Sequence, residues 1–229
     1  MEAKTLLKAV SYEGNPIYAW GAKREELFYC PECFGPVVLK KGAVKVAHFA
    51  HSPGSTCAFA EGESWEHLRM KENLIKILRK KYLAENIDSE VRLAPNRRAD
   101  VVLKLSDIPW VFECQVSPIT VNDLWQRTID YLNAKCNIQW IFHISRIKRN
   151  SFYERVGAVR IPEEIRFLDD RHQSLYFMDD DGHIRRGQLK YKWAKGLFNT
   201  TTKTTCFVNF SKIHLWELIG GFPDARVNP

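Results

Sequence analysis

Two stretches decide the fold: Arg97-Arg98-Ala99-Asp100-Val101-Val102-Leu103-Lys104-Leu105 and Trp110-Val111-Phe112-Glu113-Cys114-Gln115-Val116. Both are rich in β-branched and aromatic residues, the side chains that suit a pleated surface. Only Ser106-Asp107-Ile108-Pro109 separates them, a turn signal that predicts neighbouring strands over Ala99–Leu105 and Trp110–Val116. Alternation puts Trp110, Phe112, Cys114 and Val116 on one face and Glu113 and Gln115 on the other, while Asp100 faces away from Ala99 and Val101. A carboxylate inside an apolar strand is costly unless it is paired or holds a metal. Asp100 and Glu113 are therefore expected to meet across the sheet, and two convergent carboxylates suit Mg²⁺ or Mn²⁺.

Outward from this pair, Glu90–Leu93 reads as a further strand, set off by Pro95-Asn96. Before it, Trp65, Leu68, Ile75, Leu78 and Tyr82 recur at helical spacing and predict a helix over Glu63–Asn86, with Gly62 and Ser64 as start signals. Glu63, His67, Lys71 and Leu74 form one stripe of that helix, so Glu63 and His67 face the sheet. Glu66 lies about 100° away. After the second strand, Ile119–Ala134 reads as a helix with Leu124, Ile129 and Leu132 in the core, and Asn137–Ile144 as a buried strand. The order is helix, three strands, helix, strand. Beyond Arg146 a short helix is expected at Ile161-Pro-Glu-Glu. A hairpin joins Ser174–Met178 to His183–Lys190, Asn199–Thr205 is a loop or edge strand, and His214–Ile219 forms a terminal helix.

The first 62 residues carry a different pattern. Ala3–Val10 and Ile17–Trp20 read as strands around a Gly14-Asn15 turn. Cys30-Pro31-Glu32-Cys33 then precedes the strand-like Pro36–Leu39, which fits a zinc knuckle better than a redox pair inside a helix. A structural zinc takes four sulfur or nitrogen ligands. Cys30 and Cys33 supply two. His51 and Cys57, in the loop beyond a strand at Val44–Phe49, are the expected others, with His48 as the alternative.

Composition bounds the class. Of 229 residues, 45% are hydrophobic and 27% charged, as in ordinary globular proteins, which excludes wholesale disorder and collagen-like chains. No run of about 18 apolar residues exists to span a membrane, and the opening MEAKTLLKAVSYEGNP lacks the apolar core of a signal peptide. A cytoplasmic protein without a membrane partner is expected. The net charge of +7 points to an anionic partner. It is +1 over residues 1–62, +1 over 63–145 and +5 over 146–229. These ranges are the expected zinc-bearing β module, catalytic core and basic C-terminal extension. Arg185 and Arg186 belong to the extension, with Arg146, Lys148, Arg149, Lys190, Lys192 and Lys195.

The element order and Asp100 … Glu113-x-Gln115 resemble the PD-(D/E)XK nuclease fold, and the chain is similar to the competence protein CoiA family. The resemblance rests on Cys30-Pro-Glu-Cys33, His48-Phe-Ala-His51, Gly62-Glu-Ser-Trp-Glu-His67 with Lys71, Arg98-Ala-Asp100-Val and Phe112-Glu-Cys-Gln-Val-Ser117. Trp125-Gln-Arg127 with Tyr131 adds to these. It implies an α/β core (αβββαβ, a mixed central sheet flanked by helices) with a small N-terminal zinc-binding β module and a C-terminal α+β extension. It implies a Mg²⁺- or Mn²⁺-dependent deoxyribonuclease with Asp100, Glu113 and His67 on the metal and Glu63 and Gln115 in supporting catalytic roles. Gln115 stands where the common motif has lysine; it can orient water but brings no charge. Arg97 and Arg98 would clamp phosphate, and Arg127 and Tyr131 would bracket a phosphate and a base. The implied partners are single- or double-stranded DNA, recombination or defence proteins and a second copy of the chain. A catalytically silent DNA-binding accessory module is the alternative function, and a zinc-dependent protein adaptor the third.

Overall fold

Leu6, Ala9, Phe28, Val37 and Phe49 are too widely spaced for a helix, and they bury together only because six short strands bring them onto one face. These are β1 (Thr5–Leu6), β2 (Lys8–Ser11), β3 (Pro16–Tyr18), β4 (Phe28–Tyr29), β5 (Pro36–Lys40) and β6 (His48–His51). They form one antiparallel sheet in the order β1-β6-β5-β4-β2-β3. This is a computed structural model, and the described residues are 5–57, 63–94, 97–149, 159–195 and 201–219. The chain divides into two compact units: Met1–Phe112 with Ala134–Asn137, and Glu113–Asn133 with Ile138–Pro229.

In the first unit the sheet is followed by helix α1 (Trp65–Leu78). Ser64 starts it, its side chain accepting the His67 N–H at 3.3 Å. Leu68, Leu74, Ile75 and Leu78 form its buried face, and α1 packs on β7 (Ile87–Ala94) and β8 (Arg97–Leu103). β7, β8 and β9 (Trp110–Gln115) run antiparallel, with Val101 partnering Phe112 and Leu103 partnering Trp110. The last three residues of β9 belong to the second unit.

The second unit contains α2 (Val121–Asn133), β10 (Asn137–His143, its first residue lying in the other unit), and α3 (Glu163–Asp170). Its further strands are β11 (Lys148–Arg149), β12 (Val159–Arg160), β13 (Leu175–Met178), β14 (Ile184–Lys195) and β15 (Thr201–Lys212). β10 and β13 are parallel; the pairs β13–β14, β14–β15, β15–β12 and β12–β11 are antiparallel. Leu124, Trp140, Phe142, Ile165, Leu175 and Phe177 anchor its core. The expected αβββαβ order is met in sequence over residues 65–143, within a mixed α/β chain that has three α-helices among the described residues. None of them is long and apolar enough to cross a membrane.

Several expectations are corrected. The first helix ends at Leu78 rather than Asn86: Arg79 caps it and stacks its guanidinium over Tyr18 and Trp20, and Ala84–Asn86 is a separate 3-10 turn. Trp65 is 41% exposed, outside the core. On α2 the buried residues are Leu124, Thr128 and Tyr131, while Leu132 is 49% exposed. Thr128 can be buried because its hydroxyl donates to the Leu124 carbonyl and accepts from Trp140 Nε1. The strand expected from Val44 begins only at His48, so His51 ends a strand rather than lying in the loop beyond. Of the two states expected at Asn199–Thr205, Thr201–Thr205 takes the strand, in β15 and paired with β14, and the helix expected over His214–Ile219 is a 3-10 helix over Leu215–Ile219. Gly62, Pro95-Asn96 and residues 196–200 lie outside the described residues.

Candidate metal centre

Two groups of metal-ligand side chains stand out in the first unit. One is Cys30, Cys33, His51 and Cys57, whose donor atoms all lie within 4.8 Å of one another. The tight turn brings them together. The Phe34 N–H bonds to the Cys30 carbonyl and the Cys30 N–H to that of Gly35, with Phe34 at φ 56°. Gly35 suits the turn because a Cβ there would come within 3.3 Å of Cys33 Sγ. The Glu32 N–H points at Cys30 Sγ, a donor that favours its thiolate form, and the Gly35 N–H points at Cys33 Sγ, both at 3.4 Å. Burial works the other way on Cys30 and pushes its thiol up to about 12. Of the three residues expected to compete for the other two places, His51 and Cys57 belong to the group; His48 lies outside it and donates from Nδ1 to the Val46 carbonyl.

The second group is Glu63, His67 and Asp100, again with donor atoms within 4.8 Å. His67 Nε2 lies 3.0 Å from Asp100 Oδ2, and Nδ1 lies 3.7 Å from Glu63 Oε2. Burial opposes a charge on His67, yet Asp100, by charge and hydrogen bond, and then Glu63 outweigh it and raise its pKa above the ordinary imidazole value. Glu63 Oε1 accepts from Arg98 at 3.2 Å. Its Oε2 lies 2.6 Å from Lys71 Nζ, but it is buried and receives no aligned hydrogen bond. The expected stripe of Glu63, His67 and Lys71 is thus assembled, although Glu63 precedes the helix proper.

Behind this group sits a buried pair that sequence reasoning left without a role. Lys71, 0% exposed, lies 2.8 Å from Glu90 Oε1. Glu90 also accepts the Leu7 N–H at 3.0 Å and the Lys8 N–H at 3.3 Å. Burial alone would raise the Glu90 carboxyl, but Lys71 and Arg98 hold it below its usual range. Lys71, despite its own burial, is held above the usual lysine value by Glu63, Glu90 and Asp100. Both stay charged. The signal that could have found Glu90 is the one applied to Asp100, a carboxylate inside a strand.

In the second unit Glu113 is buried, and its carboxylate accepts from Tyr131 Oη at 2.7 Å and from Arg127 Nη1 at 2.9 Å. This corrects the expectation for Tyr131: at 0% exposure it has no face for a stacked base. Arg127, about one-third exposed, is held against Glu113 instead of standing ready for a phosphate. Gln115 donates from Nε2 to the Ser117 carbonyl at 2.6 Å. Arg98 is likewise a partner of Glu63 rather than an open clamp, while Arg97 opens β8 half-buried. Arg185 pairs with Asp179 at 3.1 Å, and the exposed Arg186 lines a cavity of about 490 Å³ with His172, Ser174 and Ser211. Arg146, counted in the basic group, is buried on Glu164.

The metal-ligand groups fall in two segments that family comparison treats separately. The competence protein CoiA N-terminal domain matches residues 19–60, and the CoiA nuclease-like domain matches residues 63–178, half of the chain. The chain belongs to the CoiA family. Competence protein CoiA of Bacillus subtilis (strain 168) is 32% identical over 130 residues, which cover 56% of this chain and 35% of that protein. The match thus spans only about a third of the relative's length. No solved structure matches. The Cys30–Cys57 group lies in the CoiA N-terminal match, and the Glu63–His67–Asp100 and Glu113 groups lie in the CoiA nuclease-like match.

Proposed function

We propose that the chain is a Mg²⁺- or Mn²⁺-dependent deoxyribonuclease with a PD-(D/E)XK-type core, acting in competence, recombination or the processing of foreign DNA. The observation that carries this reading is the Glu63–His67–Asp100 group: two carboxylates and an imidazole within 4.8 Å, backed by the buried acceptor Glu63 Oε2. Oxygen-rich sets with one imidazole suit hard divalent cations. An ion held there supplies phosphate polarisation and a water of lowered pKa.

The chain's own residues do the rest in this proposal. Asp100 and His67 are the principal ligands, with Glu63 as the second carboxylate beside them. Within the second unit, Arg127 and Tyr131 fix the buried Glu113 carboxylate. Arg185 and Arg186, in the C-terminal region of net positive charge, contact the phosphate backbone, and Arg97 is a further phosphate contact.

We assign zinc to the cysteine group as a structural ion. Bonds of about 2.3 Å to sulfur and 2.0–2.1 Å to nitrogen in a tetrahedron put two sulfurs ~3.8 Å apart and a sulfur and a nitrogen ~3.5 Å apart. Cys30 and Cys57 Sγ are separated by 4.0 Å, and Cys33 Sγ and His51 Nε2 by 3.5 Å. Four protein ligands close the site, which favours a structural over a catalytic role.

The test is cleavage of single- and double-stranded DNA with Mg²⁺ or Mn²⁺. Asp100→Ala is expected to abolish cleavage; a variant that still cuts at the wild-type rate overturns the assignment. Charge reversal at Arg185 and Arg186 is expected to weaken DNA binding and flatten its salt dependence. A second reading, a catalytically silent DNA-binding accessory, is favoured by Gln115, whose amide nitrogen is spent on Ser117 where the common motif has a cation. It predicts salt-sensitive binding indifferent to metal and to Asp100.

A further inference from the structure

Glu90 breaks three rules of its strand. It takes φ 57°, in the left-handed region that a non-glycine residue seldom enters inside β structure. Its carboxylate is 2% exposed and faces the buried Lys71 ammonium at 2.8 Å. It accepts backbone N–H groups from Leu7 and Lys8, more than eighty residues away. Leu7 is the residue between β1 and β2, where the N-terminal sheet changes strand. The other Glu90 oxygen, Oε1, receives Lys71 Nζ at 2.8 Å, and the same ammonium lies 2.6 Å from Glu63 Oε2. A continuous buried chain therefore runs from the Leu7 peptide through Glu90 and Lys71 to Glu63, all inside one unit.

From this geometry we infer that Lys71 and Glu90 are positioning residues, through which the N-terminal β sheet fixes Glu63 in the divalent-ion site. The inference rests on the ion site proposed above. Lys71 is an ammonium with rotatable donors on a flexible stem. Here it is shared: the ammonium bridges Glu90 Oε1 at 2.8 Å and Glu63 Oε2 at 2.6 Å, while Arg98 occupies Glu63 Oε1. The Glu63 carboxylate then keeps one orientation, with its unaligned acceptor Oε2 beside His67. Partners that orient metal ligands from behind typically change affinity by ~10–100-fold when removed. The Leu7 and Lys8 amides extend that role to a strand junction remote from the ion.

The experiment is Mn²⁺ titration of the full chain, followed by electron paramagnetic resonance of free Mn²⁺. Wild type is compared with Glu90→Gln, Lys71→Met, the double variant and Asp100→Asn. The double variant removes both buried charges at nearly constant shape, so it is expected to fold even where Lys71→Met alone does not. A matched control, Leu103→Ala, loosens the same unit without touching the chain of bonds. Glu90→Gln and the double variant are expected to bind Mn²⁺ about tenfold more weakly or worse, with the two substitutions non-additive. Leu103→Ala is expected to keep wild-type affinity. Wild-type affinity in both Glu90→Gln and the double variant, with Asp100→Asn deficient, overturns the positioning role and leaves the ion site standing. An equal loss in Leu103→Ala also overturns it, since the effect would then be general loosening. Unchanged binding in Asp100→Asn overturns the ion site itself, and the positioning role with it.

Discussion

Replacing Tyr131 by Phe tests the second unit at its most buried polar point. The substitution keeps the ring, which is fully buried on α2, and removes only the hydroxyl that donates to Glu113 Oε1 at 2.7 Å. No cavity of consequence forms, so the packing cost is small. What goes is a hydrogen bond to a buried carboxylate, a type worth about 1.5–3 kcal/mol. Arg127 remains on the other oxygen, but it is about one-third exposed and screened by solvent, so it compensates poorly. A loss near 2 kcal/mol, with a urea slope of about 2 kcal/mol/M, lowers the midpoint by about 1 M. The assay is urea unfolding followed by circular dichroism, with DNA binding measured on the folded variant. A midpoint shift below about 0.2 M would mean that the hydroxyl is not spent on Glu113. Wild-type stability in Tyr131→Phe together with weakened DNA binding in Tyr131→Ala would restore the base-stacking role that burial argues against.

Gly187→Ala places a Cβ 2.5 Å from Phe177 Cε2, and that ring is pinned between Phe142 and Phe210; overpacking of about 1–3 kcal/mol is expected in thermal unfolding. Ser64→Ala removes the cap on the His67 N–H and should cost about 1 kcal/mol, read in the same experiment, because the first turn of α1 then frays. Zinc uptake should be strongly pH-dependent. With the Cys30 thiol raised to about 12, metal must displace its proton, so competition with a chromogenic chelator should show at least about tenfold weaker binding per unit fall in pH. The metal-free protein has the opposite sign. A raised thiol pKa stabilises the fold fully below the unfolded thiol's value, and that contribution is lost as pH rises towards 12.

The readable parts of the fold were those in which local chemistry and tertiary role agree. Ser64 ahead of an apolar stripe gave the start of α1, and the Cys-Pro-Glu-Cys run gave the tight turn that gathers the cysteine group. Apolar runs broken by Ser-Asp-Ile-Pro gave β8 and β9. Reading failed where a distant partner decides. Nothing near Arg79 announces the end of α1; the residue leaves the helix at the stacked rings of Tyr18 and Trp20, sixty residues back. Thr128 sits at the right spacing from Leu124 for the buried stripe of α2, but its burial depends on Trp140. Counting only apolar residues therefore chose Leu132. In the candidate site the polar stripe was legible because Glu63, His67 and Lys71 recur every four residues. The orienting shell was not. Glu90 needs Leu7, and the role of Tyr131 follows only from asking which donors a buried Glu113 requires. The polar run Thr201–Thr205 lacks the apolar alternation of a half-buried strand, yet it continues β15 because its backbone pairs with β14.

In the proposed site Glu63, His67 and Asp100 hold one divalent cation. Anomalous diffraction from crystals soaked with Mn²⁺ tests it most directly. A single peak is expected about 2.1 Å from an Asp100 carboxylate oxygen and from a ring nitrogen of His67, absent in Asp100→Asn crystals treated alike. A soaked crystal with no peak at these residues, or with Mn²⁺ bound elsewhere while DNA cleavage persists, would contradict it.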